Sequence, residues 1–285
     1  MNTIPISMLA AFSLIFANFD VQAADHKSKS PAPSVQKREK KELTPKDEFL
    51  LVKKAADQGI VEAQYNLGRI YSKGEIVPKD VVKSFTWFQK AADQGHAGAQ
   101  FLLGIMYAKG EGTPKSAAKT FEWFQKAANQ GHADAQFFLG VMHTYGEGAP
   151  KDVAKAMEWY QKAAAQRHAE AQYNLGWMYS NGEGVTKDVT KTVEWFQKAA
   201  AQQHAEAQYS LGIMYRDGEG ITKDMAKAIE WLQKAAAQQH TDALYDLGIM
   251  YRDGEGVAKD TMKAIELLKK AASQGHAKAQ SILKM

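Results

Sequence analysis

A Leu-Gly pair recurs at Leu67-Gly68, Leu103-Gly104, Leu139-Gly140, Leu175-Gly176, Leu211-Gly212 and Leu247-Gly248, each step being 36 residues. An Ala-Ala pair keeps the same step at 55, 91, 127, 163, 199, 235 and 271. No insertion or deletion breaks the register. Six full repeats therefore run from about 61 to 276, with a half repeat before them and another after. A fixed period of this length means that one supersecondary motif is copied, and that the copies bury their apolar faces on one another.

The repeat at 169–204 reads AEAQYNLGWMYSNGEGVTKDVTKTVEWFQKAAAQQH and holds two helical patterns. Helix A covers about 170–180, with Ala171, Leu175, Met178 and Tyr179 at helical spacing; Gly182 follows where a left-handed residue closes a helix. Helix B covers about 187–202, and its inward stripe is Val189, Thr192, Val193, Phe196, Ala199 and Ala200. Trp195 flanks that stripe and is expected to behave as core. Ala171, Gly176 and Ala200 let helix backbones approach, while Tyr173, Trp195 and Phe196 fill the remaining space. The pairs Glu122–Lys126, Glu158–Lys162, Glu194–Lys198 and Glu230–Lys234 mark the outer face of helix B as solvated. Each contributes only about 0.2–0.5 kcal/mol.

The ends read as caps. Thr44-Pro45-Lys46-Asp47 supplies an N-cap, a Pro at the first helical position and an acid at N3, so the array opens on a helix B without a helix A before it. The last helix A, from Ala277, has Lys284 where each earlier repeat has Gly. Fourteen helices and no strand are expected.

The pattern of 171–200 is Ala171, Tyr173, Leu175-Gly176, Met178-Tyr179, Gly182-Glu183-Gly184, Lys187-Asp188, Lys191, Glu194-Trp195-Phe196 and Lys198-Ala199-Ala200. It resembles the Sel1-like repeat, a relative of the tetratricopeptide repeat, and the resemblance covers about 47–285. It implies an all-α, right-handed α-solenoid of helix–turn–helix repeats. It also implies adaptor or scaffold work, often in exported bacterial proteins. One secreted branch of the family, linked to β-lactam binding, depends on paired cysteines; this chain has no cysteine, so that activity does not carry over. The same absence excludes disulfides and thiolate chemistry.

Ahead of the repeats, Ile4 to Phe19 is uncharged and apolar, Asp20 ends the run, and Val21-Gln22-Ala23 offers a cleavage site. Residues 1–23 thus read as a signal peptide cut after Ala23, which implies a periplasmic or secreted protein. A retained segment would be the one route to a membrane. Residues 24–44 read as a disordered basic linker and 45–285 as the solenoid. The stretch 24–46 carries a net charge of +4 and Asp20 subtracts one, so the repeats hold about +1 of the chain's +4. Nucleic acid needs a concentrated basic face and is excluded as a main partner.

Histidine recurs at 96, 132, 168, 204, 240 and 276. Equivalent residues of stacked repeats lie about 8–10 Å apart or more, whereas zinc ligands sit at about 2.0–2.1 Å from one ion. The ladder is therefore read as capping or stacking at the start of helix A, with no metal and no cofactor. His143 replaces the Tyr of positions 71, 107, 179, 215 and 251, and no organised partner marks it as catalytic. The repeated Gly-Glu-Gly joins two helices rather than a strand and a helix, so it is a turn and not a phosphate loop.

Residues that vary between repeats carry the functional expectation. Positions 66, 69 and 73 share one face of helix A, and their series run through Arg69, Leu102, Ile105, Phe138, Val141, Tyr145, Asn174, Trp177, Ile213 and Asp246. By analogy with tetratricopeptide folds these ten would line a concave groove for a protein or peptide, with an exposed apolar and aromatic centre. A monomeric adaptor without catalysis is expected. The alternatives are a periplasmic enzyme or enzyme regulator acting on cell-wall material, and a structural spacer.

Overall fold

The computed structural model describes residues 44–284; the stretches expected to be a signal peptide and, for the most part, a linker lie outside the described residues. Among the described residues there are fourteen helices and no strand. In order they are α1 (Pro45–Asp57), α2 (Val61–Lys73), α3 (Val81–Asp93), α4 (Ala97–Lys109), α5 (Ala117–Asn129), α6 (Ala133–Tyr145) and α7 (Val153–Ala165). Then come α8 (Ala169–Asn181), α9 (Val189–Ala201), α10 (Ala205–Asp217), α11 (Met225–Ala237), α12 (Thr241–Asp253), α13 (Thr261–Ser273) and α14 (Ala277–Leu283). Even numbers are A helices and odd numbers B helices. No described helix is long and apolar enough to cross a membrane.

The start and stop signals act as the residues dictate. Thr44 caps α1 through a reciprocal box: its Oγ1 accepts from the Asp47 amide at 3.2 Å, and its own amide donates to the Asp47 carboxylate at 3.1 Å. Later B helices take Asp or Ser caps, such as Asp188, which accepts from the Lys191 amide at 3.0 Å. A helices close on a left-handed glycine, Gly182 having φ 70°. In α14 the position of the Leu-Gly glycine is held by Lys284, which follows the helix in the right-handed region.

The chain divides into two compact units, one up to Ala156 and one from Met157, with the division inside α7. In the N-terminal unit α1 to α6 pack in chain order. Its core is a column of rings: Phe101 lies 5.5 Å from Phe124, and Phe124 5.4 Å from Phe138, all nearly parallel. In the C-terminal unit α8 to α14 pack in the same order. Its core is mainly aliphatic, with Leu175, Leu211, Leu232, Leu247 and Leu268 buried.

Glycine inside helix A is required by close approach. A methyl group built on Gly176 would fall 2.5 Å from Cδ1 of Phe196. The Leu-Gly pair is thus the place where helix B of the same repeat lays its ring, or in later repeats Leu232 or Leu268, on the backbone of helix A.

One sequence expectation needs correcting here. Trp195 is not core: it is half-buried, while its neighbour Phe196 is 5% exposed. Trp195 lies on the edge of the inward stripe, and the Lys198 ammonium covers its outer face at 3.9 Å from the ring centre. At this register Trp123 and Trp159 are buried.

Candidate functional site

The ten variable positions do not form one exposed patch. Leu102, Ile105, Phe138 and Val141 are 2%, 1%, 0% and 4% exposed. Their helices, α4 and α6, are buried over nine consecutive residues each, Ala99–Tyr107 and Ala135–His143. Nine residues make about two and a half turns, so both helices are enclosed around their whole circumference. The expectation of an exposed apolar centre is corrected for these four residues.

The register explains the error. Phe138 stacks on Phe101 of the preceding helix A, centroids 6.0 Å apart. In the C-terminal unit the same two positions are Tyr209 and Asp246, and the Tyr209 hydroxyl donates to the Asp246 carboxylate at 3.1 Å. Position 66 and its equivalents therefore meet the aromatic position of the helix A before them. Variation there tracks what the neighbouring helix offers, and an apolar residue at such a contact is core. Ile213 and Ile249, equivalents of Ile105, likewise pack on the apolar cluster of their unit.

The other six candidates are partly accessible. Arg69 and Tyr145 belong to the N-terminal unit. The Arg69 guanidinium lies 5.7 Å from the Tyr65 ring centre. It also borders a shallow depression of about 260 Å³ with Asn66, Ile70, Lys73, Glu75 and Ile76.

The C-terminal unit holds Asn174, Trp177, Ile213 and Asp246. On α8, Trp177 is half-buried, and its carbonyl accepts from the Asn181 amide group at 3.0 Å, one turn further on. Beyond it, Arg216 of α10 clasps Asp217 at 2.8 and 3.2 Å and reaches Asp246 of α12 at 3.6 Å. One guanidinium thus serves two carboxylates. Burial pushes the Asp246 carboxyl above its usual range, against the opposing pull of Arg216 and of the Tyr209 hydroxyl. The Tyr209 hydroxyl is itself held far above its ordinary value by burial and by Asp246.

Among the described residues no three His, Asp or Glu side chains gather as an ion shell. His143 is buried with the Phe121 ring edge-on at 5.3 Å, and its Nδ1 has no hydrogen-bond partner. A smaller ring in a tyrosine slot accounts for it.

The histidine ladder does both things the sequence suggested. His96 Nδ1 accepts from the Ala99 amide at 3.1 Å, and its ring stacks on Tyr65 at 4.3 Å. Sequence reasoning missed a second ladder. Gln100 donates to the Ala92 carbonyl at 3.1 Å, across the turn into helix A, and accepts from Gln130 at 2.7 Å. Gln208 repeats this with the Ala200 carbonyl at 3.2 Å and with Gln238 at 2.8 Å. These buried amides add a second hydrogen bond to carbonyls at the end of helix B that already accept from the turn, Ala92 from the Gly95 amide at 2.9 Å and Ala200 from the Gln203 amide at 3.0 Å. The signal was available: Gln stands at 64, 100, 136, 172 and 208 in strict register, next to the aromatic position of helix A.

Comparison with known proteins agrees with this geometry. The family model described as Sel1 repeat matches six times in succession, at 61–96, 97–132, 133–168, 169–204, 205–240 and 241–276. A Sel1 repeat protein from Oxalobacter formigenes is 33% identical, with a TM-score of 0.75 over 81% of this chain and 94% of that one. A protective antigen of uropathogenic Escherichia coli with the same type of fold is 34% identical, with a TM-score of 0.55; 84% of this chain aligns with 59% of that one. No curated protein matches. Each matched segment runs from the first turn of a helix A to the histidine that caps the next, so the boundaries of the family repeat are the cap-to-cap boundaries seen here. With six such segments covering most of its length, this chain belongs to the Sel1 repeat family.

Proposed function

We propose that this protein is an exported adaptor that binds a protein or peptide through the A-helix face of its C-terminal unit. The observation that carries the reading is the half-buried indole of Trp177. Equivalent positions in the next two repeats hold Ile213 and Ile249, which pack on the local core. A large ring left partly in water on a rigid helix, beside the amides of Asn174 and Asn181, is the type of anchor on which interfaces concentrate affinity. Asp246, partly accessible, continues the same face. Scaffold work is what the family's repeat architecture suits, since each added repeat extends a binding surface without disturbing a distant core.

Binding is tested with the mature chain as bait in its native host, beside a Trp177→Ala variant. A partner held by the first protein and lost by the second is expected, with binding weakened about thirtyfold or more. A partner retained equally by both sinks this site. Export is tested by sequencing the N-terminus of the protein recovered from that host, which is expected to begin at Ala24. An intact Met1 in the membrane fraction would replace the exported reading with an anchored one.

A further inference from the structure

The A helices α10, α12 and α14 begin with the same device. His204, His240 and His276 stand at the N-cap in extended backbone, and each Nδ1 accepts from the amide of N3. The distances are 3.2 Å to Ala207, 3.3 Å to Ala243 and 3.2 Å to Ala279. Each ring also lies on the tyrosine of the helix A before it: Tyr173 under His204 at 4.7 Å, Tyr209 under His240 at 4.6 Å and Tyr245 under His276 at 4.2 Å. The histidine thus closes the first turn of its own helix and joins that helix to the preceding repeat.

Such a cap admits one state of the ring. An Nδ1 that accepts a hydrogen bond is bare, so the proton of the neutral imidazole is on Nε2. That nitrogen faces a carboxylate in two cases, Glu206 at 2.8 Å from His240 and Asp242 at 3.4 Å from His276. A protonated ring carries hydrogen on both nitrogens and cannot accept. It would turn an N–H toward the N3 amide and place a cation on the positive end of the helix dipole.

Other groups pull both ways. His204 is surrounded by Glu170 and Glu206, which favour charge, and by His168 and His240, which oppose it; His168 itself lies 3.4 Å from Glu170. His240 meets Glu206 and Tyr209, and His276 meets Asp242, Tyr245 and Asp246. For His204 burial is the largest influence and holds the ring below its ordinary value.

We propose that the histidine caps of α10, α12 and α14 form an acid-sensitive latch, closed at neutral pH and released by protonation, so that the A-helix surface of the C-terminal unit loosens in mild acid. The sign follows from linkage. His204, which burial keeps neutral in the fold but which is free to charge in the unfolded chain, stabilises above the ordinary histidine pKa of about 6.5. That contribution is lost as the pH falls from there through the folded value.

The test compares thermal midpoints of the full chain, from about pH 8 to about pH 5, with those of a His204→Asn, His240→Asn, His276→Asn variant. Asparagine caps the same amide and does not titrate. The wild-type midpoint is expected to fall by about 2–4 °C or more over this range, and the variant's to fall clearly less. Equal slopes, or a flat wild-type profile, overturn the latch. Should the variant fail to fold, nitrogen-15 spectra of the wild-type rings decide. Bare Nδ1 at pH 7.5 and faster exchange of the Ala207, Ala243 and Ala279 amides at pH 5.5 are expected. Nδ1-protonated rings or unchanged exchange overturn it.

Discussion

Asp246 is a carboxylate in a place that does not favour one. Its side chain is 18% exposed, and the Arg216 nearby is already clasped by Asp217. A carboxyl whose folded pKa is raised contributes stability below its ordinary value and loses it as the pH rises through the folded value. Ionised at neutral pH, Asp246 therefore weakens the fold relative to an uncharged isostere. Asp246→Asn is expected to raise the denaturant midpoint at pH 7 and to leave it nearly unchanged near pH 3, where the wild-type carboxyl is itself protonated. An equal or lower midpoint at pH 7 would show that Arg216 compensates the charge fully. A residue kept at a cost to stability on the proposed binding face is what a site concerned with recognition would contain.

At the scale of the helix, the difference between Phe196, Trp195 and Trp177 is one of angle about an axis. Phe196 points at Gly176 and is buried, whereas Trp195 is one residue round the helix, half-covered and capped by Lys198. Phe196→Ala is expected to cost about 3–5 kcal/mol by leaving a cavity over the bare helix backbone. Trp195→Ala and Trp177→Ala should each cost clearly less, and denaturant midpoints of the three variants order them. If Trp177→Ala matches Phe196→Ala, the indole is packing and the proposed anchor is wrong. Helix number, caps and the Leu-Gly contact were legible in the sequence because each is copied at every 36th residue. Burial at positions 66 and 69 was not, because variation between repeats looks the same whether the partner is a ligand or the neighbouring helix. Phe138 shows this most clearly: an aromatic ring at a variable position, and wholly interior. The glutamine ladder was not read from the sequence, because a repeated polar residue carries no sign by itself of which carbonyl it will meet.

Across each unit the extensive helix contacts join only elements adjacent in the chain. Stability in such an array is a sum of repeat terms and nearest-neighbour terms, so the response to a mutation depends on how many neighbours the mutated repeat has. Leu232 and Leu268 make the same contact, each covering the glycine of its helix A: a methyl built on Gly212 or Gly248 would meet Leu232 or Leu268 at 2.7 or 2.8 Å. Both are at most 2% exposed. Their surroundings differ. Among the described residues α11 is followed by the full pair α12 and α13, whereas α13 is followed by the seven residues of α14, whose Leu283 is exposed. Truncation to Ala removes a similar amount of buried apolar surface in both, about 2–5 kcal/mol in a core site. Leu268→Ala should release α13 and α14 while the amides of α8 to α10 keep their hydrogen-exchange protection, because only one interface is lost and the rest of the unit has no stake in it. Leu232→Ala should lower protection on both sides, from α9 through α14, because the broken pair lies between others that depend on it. Uniform loss of protection in both variants would mean that the C-terminal unit unfolds as a single cooperative block, and that its repeats, though copies in sequence, are not separable in energy.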